Sequence, residues 1–184
     1  MALLRYGLPQ RGRFLDLGCG QGLLLALLCE AKTGLSLHGI DADPGRVSIA
    51  RRALGADAVV EQRDLREAVF PRCAAAVLLD VLCYLAPKEA DEVMRKAAEA
   101  LEPGGVLLMG EPDASARFAF QLTRLSAWFD AATRGSAGSR THYRGAAEWR
   151  TQLEGLGFSV ETEPMSKGTP FANVLFVARK RKSA

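Results

Sequence analysis

From Arg13 almost to the end of the chain, short apolar runs of strand length alternate with stretches whose apolar residues recur at helical spacing. That alternation predicts βαβ units around a buried parallel sheet rather than an antiparallel sandwich, so the fold class is α/β. Arg13–Leu17 reads as a first strand, and Gln21–Ala31 as a helix apolar on nearly all sides, hence buried. Leu35–Asp41 reads as a second strand. Asp43-Pro44 then offers an N-cap and a first-turn proline for a helix to about Leu54. Ala58–Glu61 is a third strand, and Ala74–Asp80 a fourth with no polar residue until its end, the pattern of a strand covered on both faces. Ala90, Val93, Met94, Ala97, Ala98 and Leu101 share one face of a helix over Lys88–Leu101 whose other face is charged. Pro103-Gly104-Gly105 is expected to stop that helix and turn the chain into a fifth strand, Val106–Gly110. A helix over Gly145–Leu156 follows, then runs at Phe158–Thr162 and Phe171–Arg179 that should pair as an antiparallel hairpin at the sheet edge.

One segment stands outside the alternation. About residues 113–144 read as an insert, with one helix carrying Phe118, Leu122, Leu125, Phe129 and Ala132 on a face, followed by the flexible run Arg134–Arg140; it is expected to be a lid. No repeat or low-complexity linker interrupts the chain. Its 184 residues fit a single domain over 1–184, with 48% hydrophobic and 24% charged residues, a globular composition. The longest uncharged stretch, Leu17–Cys29, falls short of the roughly 18–20 apolar residues that a bilayer span requires. With no secretory signal visible at the N-terminus, a cytoplasmic location is expected. A net charge of +3 is too slight to demand nucleic acid or an anionic membrane, and the basic tail Arg179–Lys182 reads as a solvated terminus. Cys19, Cys29, Cys73 and Cys83 form no Cys-x-x-Cys pair and are expected to be reduced. With only His38 and His142 besides, no metal site is expected.

The chemistry gathers after the first strand, in Asp16-Leu-Gly18-Cys19-Gly20-Gln-Gly22. Glycines there let the backbone turn sharply and a ligand approach closely, while the next helix aims free N–H groups at the site, an arrangement that suits a nucleotide-like ligand. Asp41 ends the second strand, where an acid can accept from ribose hydroxyls, and its neighbour Asp43 reads as the helix cap. A dinucleotide dehydrogenase and a methyltransferase share this layout, and charge separates them. A pyrophosphate would be repelled by the Asp16 carboxylate, whereas S-adenosylmethionine brings a sulfonium and an ammonium. Further acids follow successive strands, Asp64 after the third and Asp80 after the fourth, on the edge where open α/β sheets bind ligands. Position 23 is Leu, where a dinucleotide fingerprint wants Gly or Ala. The site looks built for a cation.

On Phe14–Gly22, Gly39–Pro44, Arg63–Leu65, Leu78–Leu85, Ala100–Gly105 and Leu156–Phe158, the chain resembles class I S-adenosylmethionine-dependent methyltransferases from about Phe14 to Arg179. The resemblance implies a Rossmann-like seven-stranded sheet of order 3-2-1-4-5-7-6 with strand seven antiparallel. It implies that Asp16 and the backbone of Gly18 hold the methionine amino group. Gly20 and Gly22, with Cys19 between the glycines, would line the cofactor, Asp41 would take the ribose hydroxyls, and Ala42 would lie against the adenine. Asp64 would accept from the adenine amino group while the Leu65 N–H donates to a ring nitrogen, and Leu79 and Asp80 would flank the methionine end. The chain departs from the family at Ala74-Ala75-Ala76, where relatives often carry an acid. Only a short segment precedes the first strand, so the insert is expected to do more of the covering.

Methyl transfer is an in-line displacement that needs positioning and little water, with a base for a neutral acceptor. His142 and Glu111, with Asp113, are the candidate bases; a surface-loop role for His142 stays open, and an ionised acceptor would need no base. Tyr84, Phe118, Phe120, Trp128 and Tyr143 are the candidate substrate contacts, suited to an apolar or aromatic acceptor. No Asn/Asp-Pro-Pro-aromatic motif and no Pro-Cys nucleophile is present, which disfavours nucleic acid. The expected function is transfer of a methyl group to a small molecule, at oxygen by preference, in a lipid or secondary-metabolite route of bacterial type, with S-adenosylhomocysteine as product and a monomer or homodimer as the working form. A non-catalytic S-adenosylmethionine-binding partner and a nicotinamide dehydrogenase are the alternatives.

Overall fold

The structure, a computed structural model, describes residues 6–114, 141–165 and 173–182. Seven strands form one sheet: β1 (Gly12–Leu17), β2 (Leu35–Asp41), β3 (Ala58–Gln62), β4 (Cys73–Leu79), β5 (Leu101–Pro112), β6 (Phe158–Pro164) and β7 (Asn173–Lys180), in the order β3-β2-β1-β4-β5-β7-β6. The first five pair in parallel, and β7 runs antiparallel to both β5 and β6. The described helices are α1 (Leu23–Glu30), α2 (Pro44–Leu54), α3 (Pro87–Ala100) and α4 (Ala146–Gly155), with a 3₁₀ turn over Leu82–Tyr84.

Alternation along each strand sends successive side chains to opposite faces, and both faces are covered. Leu15, Leu17, Ala76, Leu78, Leu107 and Phe176 pack with Val93 and Met94 of α3 and Trp149 and Leu153 of α4. Phe14, Ala75, Val77, Leu108 and Val177 pack with Leu25 and Leu28 of α1 and Val47, Ala50 and Leu54 of α2. A strand buried on two sides has no polar register to keep, which is why β4 reads as an unbroken apolar run. The expected Asp43 cap holds, and the structure adds one at α3. Asp43 accepts the Arg46 N–H at 2.9 Å with Pro44 in the first turn, and Glu89 reaches back to the Ala86 N–H at 2.9 Å at the start of α3.

Most boundaries shift by a residue or two from the sequence expectation, and three of the shifts have a visible cause. The fifth strand begins at Leu101, not Val106, because Leu101 is already extended and pairs with Cys73; the ladder then shifts and resumes at Ala75 opposite Val106. Pro103-Gly104-Gly105 is therefore an irregularity within the strand, with Gly104 at φ +80° and no room at Gly105, where a Cβ would lie 2.9 Å from the Ala74 carbonyl oxygen. The first helix starts at Leu23 because Gly22, at φ +79°, forms its N-cap. β4 stops at Leu79 because Asp80 turns to φ +54°. The helix expected around Phe118–Ala132, and the start of the last strand at Phe171, lie outside the described residues. The two ends of the 113–144 segment meet: the Ala114 N–H donates to the Arg144 carbonyl at 3.2 Å, and Asp113 Oδ1 accepts the Ala146 N–H at 3.0 Å.

Candidate functional site

The carboxyl ends of β1 to β5 lie on one rim of the sheet, and the acidic residues picked out from the sequence stand along it. Asp16 sits between Leu15 and Leu17, both buried on the α3 face, so its own side chain turns to the α1 face; it is buried. Burial first, then the charge of nearby Asp41, pushes its carboxyl up to about 7. The bend that follows is held by the neighbouring strand, with the Gly18 and Cys19 N–H groups donating to the Ile40 carbonyl at 2.8 and 3.1 Å. Anything Gly18 offers a ligand must then come from its carbonyl.

Asp41 ties the bend to α2. Its Oδ2 accepts the Gly20 N–H at 2.8 Å and its Oδ1 the Asp43 N–H at 2.9 Å, which fixes the carboxylate plane while each oxygen keeps a further lone pair. Two of the glycines serve different ends. Among the described residues a Cβ at Gly20 would meet no atom within 4 Å, so that position faces open space. At Gly22 a Cβ would stand 2.9 Å from Leu54 Cδ1 and 3.0 Å from Ala50 Cβ, so the need for glycine there comes from packing on α2. The Cys19 thiol is buried against Gly39, and burial followed by Asp16 and Asp41 pushes it up to about 12; it is no nucleophile.

The Arg63 N–H donates to the Asp41 carbonyl at 2.9 Å, which brings the end of β3 to the same rim. There Asp64 is half-buried and bound in a fork by Arg66, with Oδ2 2.6 Å from Nη2 and 3.0 Å from Nε, and this pairing holds its carboxyl below the usual range. Leu65 is buried beside it, and Ala42 is exposed. Leu79 is partly buried. At the end of β4, Asp80 donates its N–H to the Gly110 carbonyl at 2.8 Å; its side chain is accessible, yet the protein behind it raises its carboxyl by desolvation.

Of the candidate bases, Glu111 is 1% exposed, and its Oε1 accepts the Leu82 N–H at 2.8 Å and the Val81 N–H at 3.2 Å. Burial outweighs these bonds and pushes its carboxyl up to about 7. It ties the 3₁₀ turn to β5. Asp113 holds the first turn of α4. His142 donates its backbone N–H to the Cys83 carbonyl at 2.7 Å, and with Tyr143, Arg144, Leu82, Leu85 and Trp149 it lines a cavity of ≈ 240 Å³. Arg144 is already engaged by Asp91 and Gln152, both at 2.6 Å, and lies over the Trp149 ring. Tyr84 is exposed on the 3₁₀ turn. Phe118, Phe120 and Trp128 lie outside the described residues. Among the described residues no His/Cys/Asp/Glu group could hold a metal, and no helix is long and apolar enough to cross a membrane.

The donor set suits a cationic nucleoside. Asp16 is a carboxyl whose charged form is disfavoured by burial and by a second acid, a situation that a bound ammonium or sulfonium relieves, and Asp41 presents two fixed acceptor oxygens beside the open ground at Gly20. Sequence reading missed Asn173, whose amide reaches Asp80; its only sequence signal is a polar residue opening an otherwise apolar strand.

Known proteins resemble this chain in sequence and in fold. A family model described as a methyltransferase domain matches residues 2–163. The trans-aconitate 2-methyltransferase of Methylobacterium nodulans is 29% identical over 162 residues, covering 86% of this chain and 62% of that protein. The carboxy-S-adenosyl-L-methionine synthase of Campylobacter lari is 30% identical over 112 residues, covering 59% of this chain and 48% of that protein. The chain spans about half the length of the curated relatives it matches. Among solved structures, an S-adenosylmethionine dependent methyltransferase from Mesorhizobium loti superposes with a TM-score of 0.76 at 21% identity, covering 97% of this chain and 96% of that one.

Proposed function

Because the chain belongs to the class I S-adenosylmethionine-dependent methyltransferase family, with S-adenosylmethionine as its cofactor, we propose that it methylates an oxygen of a small apolar or aromatic molecule. The observation that carries the cofactor half of this reading is the buried Asp16 carboxyl beside Asp41 under the glycine bend. In this reading Asp16 and the Gly18 carbonyl receive the ammonium, Asp41 the ribose hydroxyls, and Gly20 the close approach. Asp64, Leu65 and Ala42 lie toward the base, and Leu79 and Asp80 toward the sulfur. The bound cofactor supplies a methyl group on a positively charged sulfur, an electrophile that needs no further activation.

The chain's own residues then have three tasks. They exclude water from the rim, they fix the acceptor oxygen in line, and they take its proton if it carries one. Glu111 serves the second task indirectly, as a positioning residue: it holds the N–H groups of Val81 and Leu82 and thus the turn that carries Tyr84. In this reading His142 receives the proton and Tyr143, which lines the same cavity, contacts the acceptor together with Tyr84 on the neighbouring turn. The Methylobacterium nodulans relative is named for methylating trans-aconitate, and an acid of that kind supports an oxygen acceptor here; an ionised carboxylate would dispense with the base.

Titration calorimetry with S-adenosylmethionine tests the reading. Wild-type protein binds, and Asp41→Ala weakens binding about a hundredfold, the order expected from losing two hydrogen bonds to a charged acceptor. No heat of binding with the wild type rejects it.

A further inference from the structure

Asn173 opens β7 opposite Pro112 of β5, and its backbone carbonyl accepts the Met165 N–H at 2.8 Å, so its position is set from both neighbouring strands. Val174 packs on the α3 face and Leu175 on the α1 face, so the Asn173 side chain turns toward the α1 face, the face to which Asp16 also turns. From there it reaches across the end of β5 to the rim: Asn173 Nδ2 donates to Asp80 Oδ1 at 3.4 Å. That contact orients the amide, since the opposite orientation would set its carbonyl against a carboxylate. It leaves Asn173 Oδ1 shut off from solvent and, among the described residues, without a hydrogen-bond partner. A buried acceptor with nothing to accept is costly and rarely left so without a reason. Two further features mark the spot. Asp80 holds φ +54°, a conformation uncommon outside glycine and concentrated at functional sites. Gly110, between them on β5, has no Cβ, and Leu79 Cδ2 and Met165 Sδ crowd over it, at 2.7 and 3.4 Å from where a Cβ would stand. An apolar bed thus adjoins an unfilled acceptor.

We infer that Asn173 Oδ1 is a specificity-determining contact that accepts a hydrogen bond from an O–H or N–H of the methyl acceptor, with Asp80 orienting the amide and Leu79 and Met165 receiving the apolar body. The inference rests on the methyltransferase reading and names the acceptor's chemistry: an apolar molecule that carries a hydrogen-bond donor. The acceptor reaches Oδ1 when the side chains over it part, and an Oδ1 that stays enclosed by the protein is the competing reading.

The test uses protein saturated with S-adenosylhomocysteine and two probes of nearly equal shape, phenol and fluorobenzene, which differ in one donor. Wild-type protein binds phenol about five- to tenfold more tightly than fluorobenzene, the discrimination of one hydrogen bond. Asn173→Leu removes the difference, leaves S-adenosylhomocysteine affinity unchanged, and melts no lower than wild type, because the acceptor it removes is unpaired. Equal discrimination by wild type and variant, no discrimination by the wild type, or a melting temperature several degrees lower in the variant overturns the inference, the last by making Asn173 a structural residue. Failure of S-adenosylhomocysteine to bind the wild type at all rejects instead the methyltransferase reading beneath it.

Discussion

Asp16 is a carboxyl that the fold keeps from water and sets near a second acid, so in the ligand-free chain its proton leaves only near pH 7. A cation arriving beside it favours the charged form and returns the carboxyl toward its ordinary range. Binding of S-adenosylmethionine should therefore release a proton below pH 7 and tighten as the pH rises from 6 to 8. Calorimetry in buffers of different ionisation enthalpy measures that release directly; Asp16→Asn should abolish it, and a wild type whose heat is independent of buffer would contradict the account. Asp41 was legible in the sequence as the acid closing the second strand. Its dual attachment to the Gly20 and Asp43 N–H groups was not, because those bonds depend on how the bend folds over the strand end. Asn173 was illegible for a similar reason: an unpaired atom is a property of surroundings that come from β4 and β5.

At the level of elements, the β1–α1 bend combines two demands on glycine that one motif conceals. Gly22 is required by α2, and among the described residues no atom presses on Gly20. Gly22→Ala should cost about 2–4 kcal/mol of stability, the sum of a positive φ and a methyl group forced against Leu54 and Ala50. Gly20→Ala should cost only about 1 kcal/mol, from φ alone, while weakening S-adenosylmethionine binding tenfold or more. Denaturant unfolding beside calorimetry separates the two, and equal losses of stability would show that the bend has one role throughout. The helices were readable from their apolar spacing and caps, whereas the start of β5 was not. Proline and two glycines usually mark a turn between elements, but here Leu101 already pairs with Cys73 and the irregularity is carried inside the strand.

At the scale of the whole molecule, the buried carboxyls Asp16 and Glu111 have folded values near 7, above their ordinary 3.8 and 4.5. Because the native state holds these protons more firmly than the unfolded chain, stability falls as the pH rises through the interval from about 4 to 7 and levels off above it. The ligand-free protein should thus melt at a higher temperature at pH 5.5 than at pH 8, and saturating S-adenosylmethionine should narrow the gap by charging Asp16. A gap unchanged by Glu111→Gln would remove that residue from the explanation. The α/β class and the alternation of strands and helices were legible because a sheet covered on both faces imprints itself locally. The strand order came from resemblance to a family, since no local pattern says that the last strand lies between the fifth and the sixth.

That placement bears on how the protein is made. β7 follows the other six described strands out of the ribosome, yet among the described residues it alone joins β6 to the rest of the sheet. Until it emerges, the nascent chain carries β5 with one edge bare and β6 with nothing to bond, both open to pairing with other chains. Completion of this sheet thus waits until β7 has been made, and a chaperone in attendance would matter most before then.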